Sequence, residues 1–543
     1  MRIRLNISYV GLRYHLIRRP RPHTHRSILT LAIETSCDDT SVAVLEKKTS
    51  LNGHRTSAVL HFHKKVTSDN TTYHGVHPLV SLQSHQQNLA GLVDEAIHHL
   101  PPVECKDELL CKGRLVTCPG CGNSGRIVTF PDGGNSGRIW TRRRPDFISV
   151  TRGPGMRSNL FTGLDTAKGL AAAWQIDLVG VHHMQAHALT PRLVAALQNA
   201  YRPEDLAVHE KSGGGSPAIA IPIQPEFPFL SVLASGGHTL LIHSASLADH
   251  RVLAGTSDIA VGECLDKVAR AVLPPQILQN ATTTMYGALL EDFAFSQKLA
   301  GHHDSATPEP EIASQKLEIE DKYRLEMMTA GEYHAIYRTR RDYGYAVPKN
   351  QEEAQKQSTT KYGWGFNQPL SKAAGGLKSK SLEFSFSGLM TAVERVVRFR
   401  VDPLTGKLGK VERSSEDTTM EERKAMAREV MRAAFEHLAS RVVLGLQQAS
   451  LENPGPDRIE TVVVSGGVAA NQFLRLILAS MLTAHGYAGV RLAFPPPSLC
   501  TDNAAMIAWT GIEMYAAGHS SPYTIRSIRK WPLDQLLSPH EDA

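Results

Sequence analysis

The sequence predicts an α/β protein with two related lobes that face each other across a cleft. Short apolar β-type runs alternate with helical periodicity over most of the 543 residues. Residues 28–46 and 228–243 each have the pattern of a strand, a small polar turn and a second strand. This recurrence of one pattern at the start of both halves indicates two lobes of similar build.

The elements of the predicted first lobe, residues 28–196, follow this order. They are a strand–turn–strand unit at 28–46, a helix at 79–100, a strand at 146–151, a helix at 158–174 and a strand at 178–181. An insertion that contains cysteines is expected at about 103–144. Residues 197–226 are rich in Pro, Gly and Ser, which is typical of a linker or a surface insertion.

The second lobe is predicted to span residues 227–543. Its expected elements are strands at 228–235, 240–243 and 460–464, and helices at 419–451, 471–485 and 503–517. Residues 300–360 are charged and polar with little sustained apolar pattern, so we expect a second insertion there, partly helical.

The charge of the chain is concentrated at its beginning. Residues 1–27 contain seven arginines and no acidic residue, and the formal charge of the whole chain is +6. The remaining residues are nearly neutral, so any RNA binding must depend on a local basic patch. An Arg-rich, acid-free start is typical of a mitochondrial transit peptide, and a disordered basic tail is the alternative.

The cysteines and the hydropathy exclude several classes of protein. Seven cysteines in a chain of this size do not indicate a disulfide framework. Four of them cluster at 105–121, but the spacing of one pair is too wide for a usual zinc knuckle, so a surface insertion is favoured over structural zinc. No apolar run is long enough for a transmembrane helix.

Three local patterns predict chemistry. His183 and His187 stand four residues apart and would share one face of a helix, which suits a divalent metal ion or a pair of structural histidines. Ser235-Gly236-Gly237-His238 and Ser465-Gly466-Gly467 both follow buried strands, where glycines let backbone amides approach an anionic ligand. Asp502 precedes a helix and could be its N-cap or a metal ligand.

Eight blocks of sequence, in this order along the chain, carry a resemblance to one family. They are Ile33–Thr40, Gly153–Met156, His182–His187, Ser235–Thr239, Gly262–Ala269, Phe384–Leu389, Ser465–Asn471 and Cys500–Asn503. The chain resembles the tRNA N6-adenosine threonylcarbamoyltransferases, once labelled glycoprotein endopeptidases, and in particular their mitochondrial branch. The resemblance implies a two-lobed fold of the actin-like ATPase type with the active site between the lobes.

The resemblance also implies an activity and its partners. The reaction would transfer the threonylcarbamoyl group of threonylcarbamoyl-AMP to the N6 amine of adenosine 37, in tRNAs that read codons beginning with adenine. It would take place in the mitochondrial matrix, with one divalent cation per subunit, zinc or iron, and the chain would be a homodimer that does not bind membranes.

Roles for single residues follow from the same resemblance. His183, His187 and Asp502 would bind the metal ion, and Asp38 would handle a proton or orient the reactants. The nucleotide part of the donor would lie against a set of residues on the second lobe: Ala234, Ser235, Gly236, Gly237, His238, Asp266, Gly287 and Asn471. Gly287 stands where the family has a Tyr-Pro-Gly-Gly-Pro turn.

Three alternatives remain open at the level of sequence. A metalloprotease would need His-Glu-x-x-His, whereas Met184 follows His183 here. A small-molecule kinase of the same superfold would need a catalytic aspartate and no histidine pair. A catalytically weak nucleotide-binding scaffold would keep the fold and lose the chemistry.

Overall fold

A computed structural model describes the chain over most of its length. The described residues are 27–49, 55–70, 73, 76–102, 127–131, 139–200, 222–281, 286–295, 324–340, 343–372, 378–402, 405, 407–414, 417–452 and 458–539. The predicted transit peptide, apart from Ser27, and the cysteine cluster at 105–121 lie outside the described residues. So do most of the predicted linker and residues 296–323 of the predicted second insertion.

The strands are numbered in chain order. They are β1 (Ser27–Glu34), β2 (Asp39–Thr49), β3 (Thr56–Thr67), β4 (Ile127–Pro131), β5 (Ile139–Arg143), β6 (Phe147–Gly153), β7 (Asp177–His182), β8 (Phe229–Ala234), β9 (Thr239–Ser244), β10 (His250–Thr256), β11 (Glu326–Thr329), β12 (Glu383–Phe384), β13 (Phe399–Val401), β14 (Leu408–Glu412), β15 (Thr461–Ser465) and β16 (Arg491–Phe494).

The helices are numbered in the same way. They are α1 (Pro78–His98), α2 (Arg157–Trp174), α3 (His183–Ala200), α4 (Val261–Val272), α5 (Pro275–Gln279), α6 (Tyr286–Phe295), α7 (Ala330–Arg340), α8 (Gln351–Ser358), α9 (Ser387–Arg398), α10 (Met420–Glu452), α11 (Gln472–Ala484), α12 (Pro497–Cys500) and α13 (Ala504–Ala516). None of the described helices, the 33-residue α10 included, is long and apolar enough to cross a membrane.

Two sheets of the same build form the centre of the molecule. The first sheet has the strand order β3-β2-β1-β6-β7, and the second contains β10-β9-β8-β15-β16. In each, three antiparallel strands from one meander are followed by two parallel strands. The recurrence seen in the sequence is therefore a recurrence of topology. The second sheet is extended by β12 at one edge and β11 at the other.

The central strand β1 shows why these segments form strands. Every residue from Leu29 to Glu34 is buried, because helices cover both faces of the sheet. Leu29 and Leu31 pack with side chains of α1 and α2, whereas Ala32 packs on the other face with side chains of α3 and α13. A strand that is buried on both faces has a nearly continuous apolar sequence, as residues 28–33 do.

The last helix, α13, returns to the first sheet. It packs against β1, β2 and α3, and the fully buried Trp509 lies in the cluster shared by these elements. The predicted second lobe extended to residue 543, so the structure corrects this boundary for α13. The physical reason is that the sheet face under α3 needs a second helix to cover it, and the pattern of a buried helix does not say which sheet it covers.

The predicted insertion at about 300–360 also needs a correction. β11 pairs with β16 in the second sheet, and Tyr333 and Tyr337 of α7 are buried against α11 and β16. Residues 326–340 are thus part of the second core. The apolar contacts of this segment with the core are made by its aromatic side chains. The many charged residues around them hide this from a reading of composition.

Candidate active site

The two glycine turns lie side by side in the second lobe. β8 and β15 are parallel neighbours with Leu233 opposite Ser465, so the turns that follow them meet at one edge of the sheet. Gly466 has a φ of 93° and packs on the carbonyl of Ala234, where a side chain would not fit. The carboxyl ends of parallel strands are where α/β proteins bind ligands.

The tip of the first turn faces open space. Ser235 N–H donates to the His238 carbonyl at 2.9 Å, and Ser235 Oγ accepts from His238 N–H at 3.0 Å. A Cβ atom on Gly236 or Gly237 would meet no heavy atom of the described chain within 4 Å. The turn is therefore rigid at its base and accessible to a ligand at its tip.

Helix α4 begins against this turn. Gly262 N–H donates to the Ser235 carbonyl at 3.1 Å, and a Cβ on Gly262 would lie 2.6 Å from the same oxygen. One helical turn on, Asp266 Oδ1 accepts from Gly287 N–H at 2.9 Å. Burial raises the pKa of Asp266, partly offset by that N–H and by Arg270. The structure thus joins two of the predicted donor-binding residues directly.

Asn471 lies at the start of α11, beside the second turn. Its side-chain oxygen accepts from Leu474 N–H at 3.0 Å, so it is the N-cap of that helix. The capping accounts for an asparagine here, and the predicted contact with the donor stays a prediction.

The two histidines project from the first turn of α3, directly after β7. Their Nε2 atoms lie 3.2 Å apart. Asp502 Oδ1 lies 3.3 Å from Nε2 of His183 and 3.0 Å from Nε2 of His187. Both imidazoles are about 5% exposed, while the Asp502 side chain is 23% exposed and open to the cleft. Residues 315 positions apart in the sequence, His187 and Asp502, therefore converge on one point.

The N-cap alternative for Asp502 is wrong. The cap of α13 is Asn503, whose side-chain oxygen accepts from Met506 N–H at 3.0 Å. Asp502 precedes the cap, and its carboxylate turns toward the histidines instead of the helix.

Glu34 orients His183 from the side away from Asp502. Glu34 Oε2 lies 3.3 Å from Nδ1 of His183, and Glu34 is fully buried. The Glu34 carboxylate is itself held by Ser36 N–H at 2.6 Å and by the Thr151 hydroxyl. A carboxylate on Nδ1 keeps the proton there and directs Nε2 toward Asp502.

The charges of this cluster are strongly coupled. Burial opposes the charge of His183, but Asp502 and Glu34 outweigh burial and raise its pKa to about 10. For the Asp502 carboxyl, burial alone would raise the pKa, but His183 and His187 hold that pKa well below its usual range. A cation at this point is therefore favoured electrostatically.

These residues fit a divalent metal ion. The three ligand atoms lie within 4.8 Å of one another. Ligand atoms about 2.0–2.1 Å from a tetrahedral ion stand about 3.3 Å apart, close to the spacing of the nitrogen and oxygen atoms here. The carboxylate behind His183 is the partner that metal-binding histidines usually have.

Asp38 lies at the tip between β1 and β2, on a doubly anchored loop. The preceding carbonyl, of Cys37, accepts from Asn159 Nδ2 at 2.6 Å and from His85 Nε2 at 3.0 Å. Burial, Asp39 and Asp502, in that order, raise the pKa of Asp38. Asp502 thus acts on Asp38 electrostatically, so the tip lies near the histidine cluster.

His238 connects the two halves of the site. Burial, and then the charges of His183 and His187, lower the pKa of its imidazole. The first glycine turn therefore lies close enough to the histidine cluster for the charges of His183 and His187 to act on it.

Four residues that hold the site were not singled out from the sequence: Glu34, His85, Thr151 and Asn159. A signal existed for Glu34, because a carboxylate that ends a fully buried strand requires a partner. The others depend on contacts between distant segments, which no local pattern shows.

The family model and the related proteins that match this chain carry the same description. Residues 140–214, 216–319 and 326–509 match the family described as TsaD: tRNA N6-adenosine threonylcarbamoyltransferase. The mitochondrial tRNA N6-adenosine threonylcarbamoyltransferase of Schizosaccharomyces pombe is 30% identical over 520 residues, 95% of this chain and 89% of that relative. The tRNA N6-adenosine threonylcarbamoyltransferase of Bartonella bacilliformis is 28% identical and covers 94% of this chain and 96% of its own.

One matching solved structure is more distant. HypF of T. kodakarensis is 11% identical with a TM-score of 0.37, over 91% of this chain and 48% of that one. The strand order of the two sheets defines the fold.

Fold and site together define a two-lobed α/β protein with a histidine–carboxylate cluster opposite paired glycine turns. The chain belongs to the tRNA N6-adenosine threonylcarbamoyltransferase family. It is a transferase, as the sequence motifs predicted.

Proposed function

We propose that this chain transfers the threonylcarbamoyl group from threonylcarbamoyl-AMP to the N6 amine of adenosine 37 of tRNA, in the mitochondrial matrix. The name of the S. pombe relative supports the compartment, and so does the Arg-rich start of the chain. The duplicated strand order supports the actin-like ATPase superfold. A homodimer remains part of the proposal.

One observation carries the assignment. The Nε2 atoms of His183 and His187 and Oδ1 of Asp502 converge within 4.8 Å of one another, and charges of this cluster act on both Asp38 and His238 of the first glycine turn. A donor that contains a phosphate and a reactive carbonyl needs both kinds of group within one site.

His183, His187 and Asp502 would hold the metal ion. Zinc or iron suits the donor set, and when bound it supplies a Lewis acid that polarises the donor. The chain itself supplies orientation, because Glu34 fixes the ring of His183 and the hydrogen bonds to Cys37 fix the tip that carries Asp38.

The reaction forms one bond and breaks one. The N6 nitrogen attacks the carbonyl carbon of the threonylcarbamoyl group, and the bond from that carbon to the phosphate oxygen breaks, so AMP leaves with the electron pair. Asp38, whose raised pKa suits proton uptake nearer neutral pH, accepts the proton of the amine. The amides of the first glycine turn would stabilise the phosphate of AMP, and Asp266 would accept from the ribose hydroxyls.

A transfer assay tests this proposal. The full chain is loaded with zinc and supplied with threonylcarbamoyl-AMP and unmodified tRNA, and the modified nucleoside is measured by mass spectrometry. We expect product from the wild type and a loss of at least about 100-fold in His183→Ala, since a metal site that loses one ligand loses its ion.

His250→Ala is the matched control. His250 is as buried as His183 but bonds Ser244 and the Leu247 carbonyl and is not one of the three candidate ligands. Full activity in His183→Ala, or none in folded and metal-loaded wild type, contradicts the proposal, and the second result would favour the nucleotide-binding scaffold.

A further inference from the structure

The segment that follows α13 folds back across the first lobe. Its apolar side chains at Ile525, Ile528 and Trp531 are buried at three-residue spacing. Ile528 N–H donates to the Arg152 carbonyl at 2.9 Å, and Arg152 Nε donates to the Arg526 carbonyl at 2.9 Å. The backbone of residues 525–531 is therefore fixed in place on the protein.

This anchoring directs three cations outward. Arg526, Arg529 and Lys530 alternate with the buried side chains and are exposed, and Arg157 is exposed at the start of α2 close by. No ion pair among the described residues involves any of the four. We call Arg157, Arg526, Arg529 and Lys530 the cationic edge.

The cationic edge adjoins the reaction site. Gly155 N–H donates to the Arg529 carbonyl at 3.2 Å, and the next amide, of Met156, donates to the Ser36 carbonyl at 2.9 Å. Two residues beyond Ser36 is Asp38. On the other side, the Trp531 carbonyl lies 2.9 Å from Nε2 of His182, the neighbour of His183. The edge thus lies one loop away from both Asp38 and the metal-site helix.

The local charge is positive, whereas the chain after residue 27 is nearly neutral as a whole. Between residues 520 and 539 the only acidic residue is Asp534. Helix α2, which begins at Arg157, has no acidic residue in its first turn, so its positive end adds to the field. Fixed, exposed and unpaired cations of this kind are suited to phosphate groups along a nucleic-acid backbone.

We propose that the cationic edge binds the phosphate backbone of the tRNA and so holds the tRNA beside the reaction site. This inference rests on the proposed function for the identity of the polyanion. It assigns to residues 526–530 a role in RNA binding, and none in holding the donor or the metal ion.

Binding and kinetics of a triple variant test the inference. In the full chain, Arg526→Ala, Arg529→Ala and Lys530→Ala are combined; all three side chains are exposed, so the fold should persist. We expect the Kd and the KM for tRNA to rise at least about tenfold, and the slope of log Kd against log salt concentration to fall by about 2. The kcat at saturating tRNA and the affinity for zinc should stay at the wild-type values.

The ribbon of β13 and β14 supplies the control. Arg400, Lys407 and Lys410 are equally exposed and belong to the second lobe, and their triple alanine variant should bind tRNA as the wild type does. Equal losses in both variants, or an unchanged Kd in the first, would overturn the inference. Filter binding of tRNA needs no catalysis, so failure of the transfer reaction is distinguished from failure of the cationic edge.

Discussion

Glu34 is the residue whose role the structure changes most. The sequence shows it as the end of an apolar strand, and the structure shows a fully buried carboxylate on Nδ1 of His183. Burial would raise its pKa, but the charge of His183 and the hydrogen bonds from His183 and Ser36 together outweigh burial and lower it. Such a group fixes the ring that must present Nε2 to the cleft.

We predict that Glu34→Gln lowers the affinity for zinc about 10- to 100-fold, because the amide can no longer hold the Nδ1 proton as firmly. Titration of the metal-free protein with zinc measures this. Glu46→Gln is the control, since Glu46 is a buried carboxylate of the same sheet that pairs with Arg143 and His61. Equal zinc affinities in wild type and Glu34→Gln would contradict an orienting role.

Among the elements, the start of α9 is bonded to the segment before α4 through the carboxylate of Asp258. Asp258 accepts from Ser385 Oγ at 2.7 Å and from the N–H groups of Phe386 and Ser387 at 2.9 and 3.1 Å. Burial opposes its charge, but the hydrogen bonds from Ser387, Phe386, Ser385 and Ile259 together outweigh burial and lower its pKa to about 2.

Asp258→Asn should lower the free energy of unfolding at pH 7 by about 1 kcal/mol. The effect is this small because the carboxylate is largely exposed and water screens its charge. The folded-state pKa lies below the unfolded value, so the stabilisation is present above about pH 4 and is lost as the pH falls toward 2. Denaturation of both proteins at pH 7 and pH 3 checks this. A difference that grows as the pH falls would have the wrong sign.

At the scale of the whole molecule, α13 connects the end of the chain to its beginning. The helix covers β1 and β6, and Asp502 just before it reaches His183 and His187. Gly511 allows the close approach, because a Cβ there would lie 2.9 Å from Cβ of Ser149 on β6. The geometry of the site therefore depends on how closely this helix packs on the first sheet.

Gly511→Ala should destabilise the protein by about 1–3 kcal/mol through overpacking. Gly91→Ala in α1 is the matched control: nothing lies within 4 Å of its added Cβ, and the exchange should stabilise by up to about 1 kcal/mol. Thermal or urea unfolding of the two variants measures the difference. An equal gain in both would show that α13 does not pack closely on β6.

The sequence alone determined the elements with strong periodicity. Nearly all helices and strands that it predicted are present within a few residues, because burial of one face or of both leaves a local pattern. It also determined the family, since short motifs kept in one order along the chain identified it. The same kind of short motif indicated candidate site residues, namely His183, His187 and the two glycine turns.

The placements that depend on contacts between distant segments are visible in the tertiary structure and not in the sequence. The tertiary structure assigned α13 to the first sheet and residues 326–340 to the second core. It turned Asp502 from a helix cap toward the histidines, placed Glu34 behind His183, and laid residues 525–531 beside the cleft. Sequence patterns report how far a residue is buried, whereas the partner that buries it is fixed by packing of the whole chain.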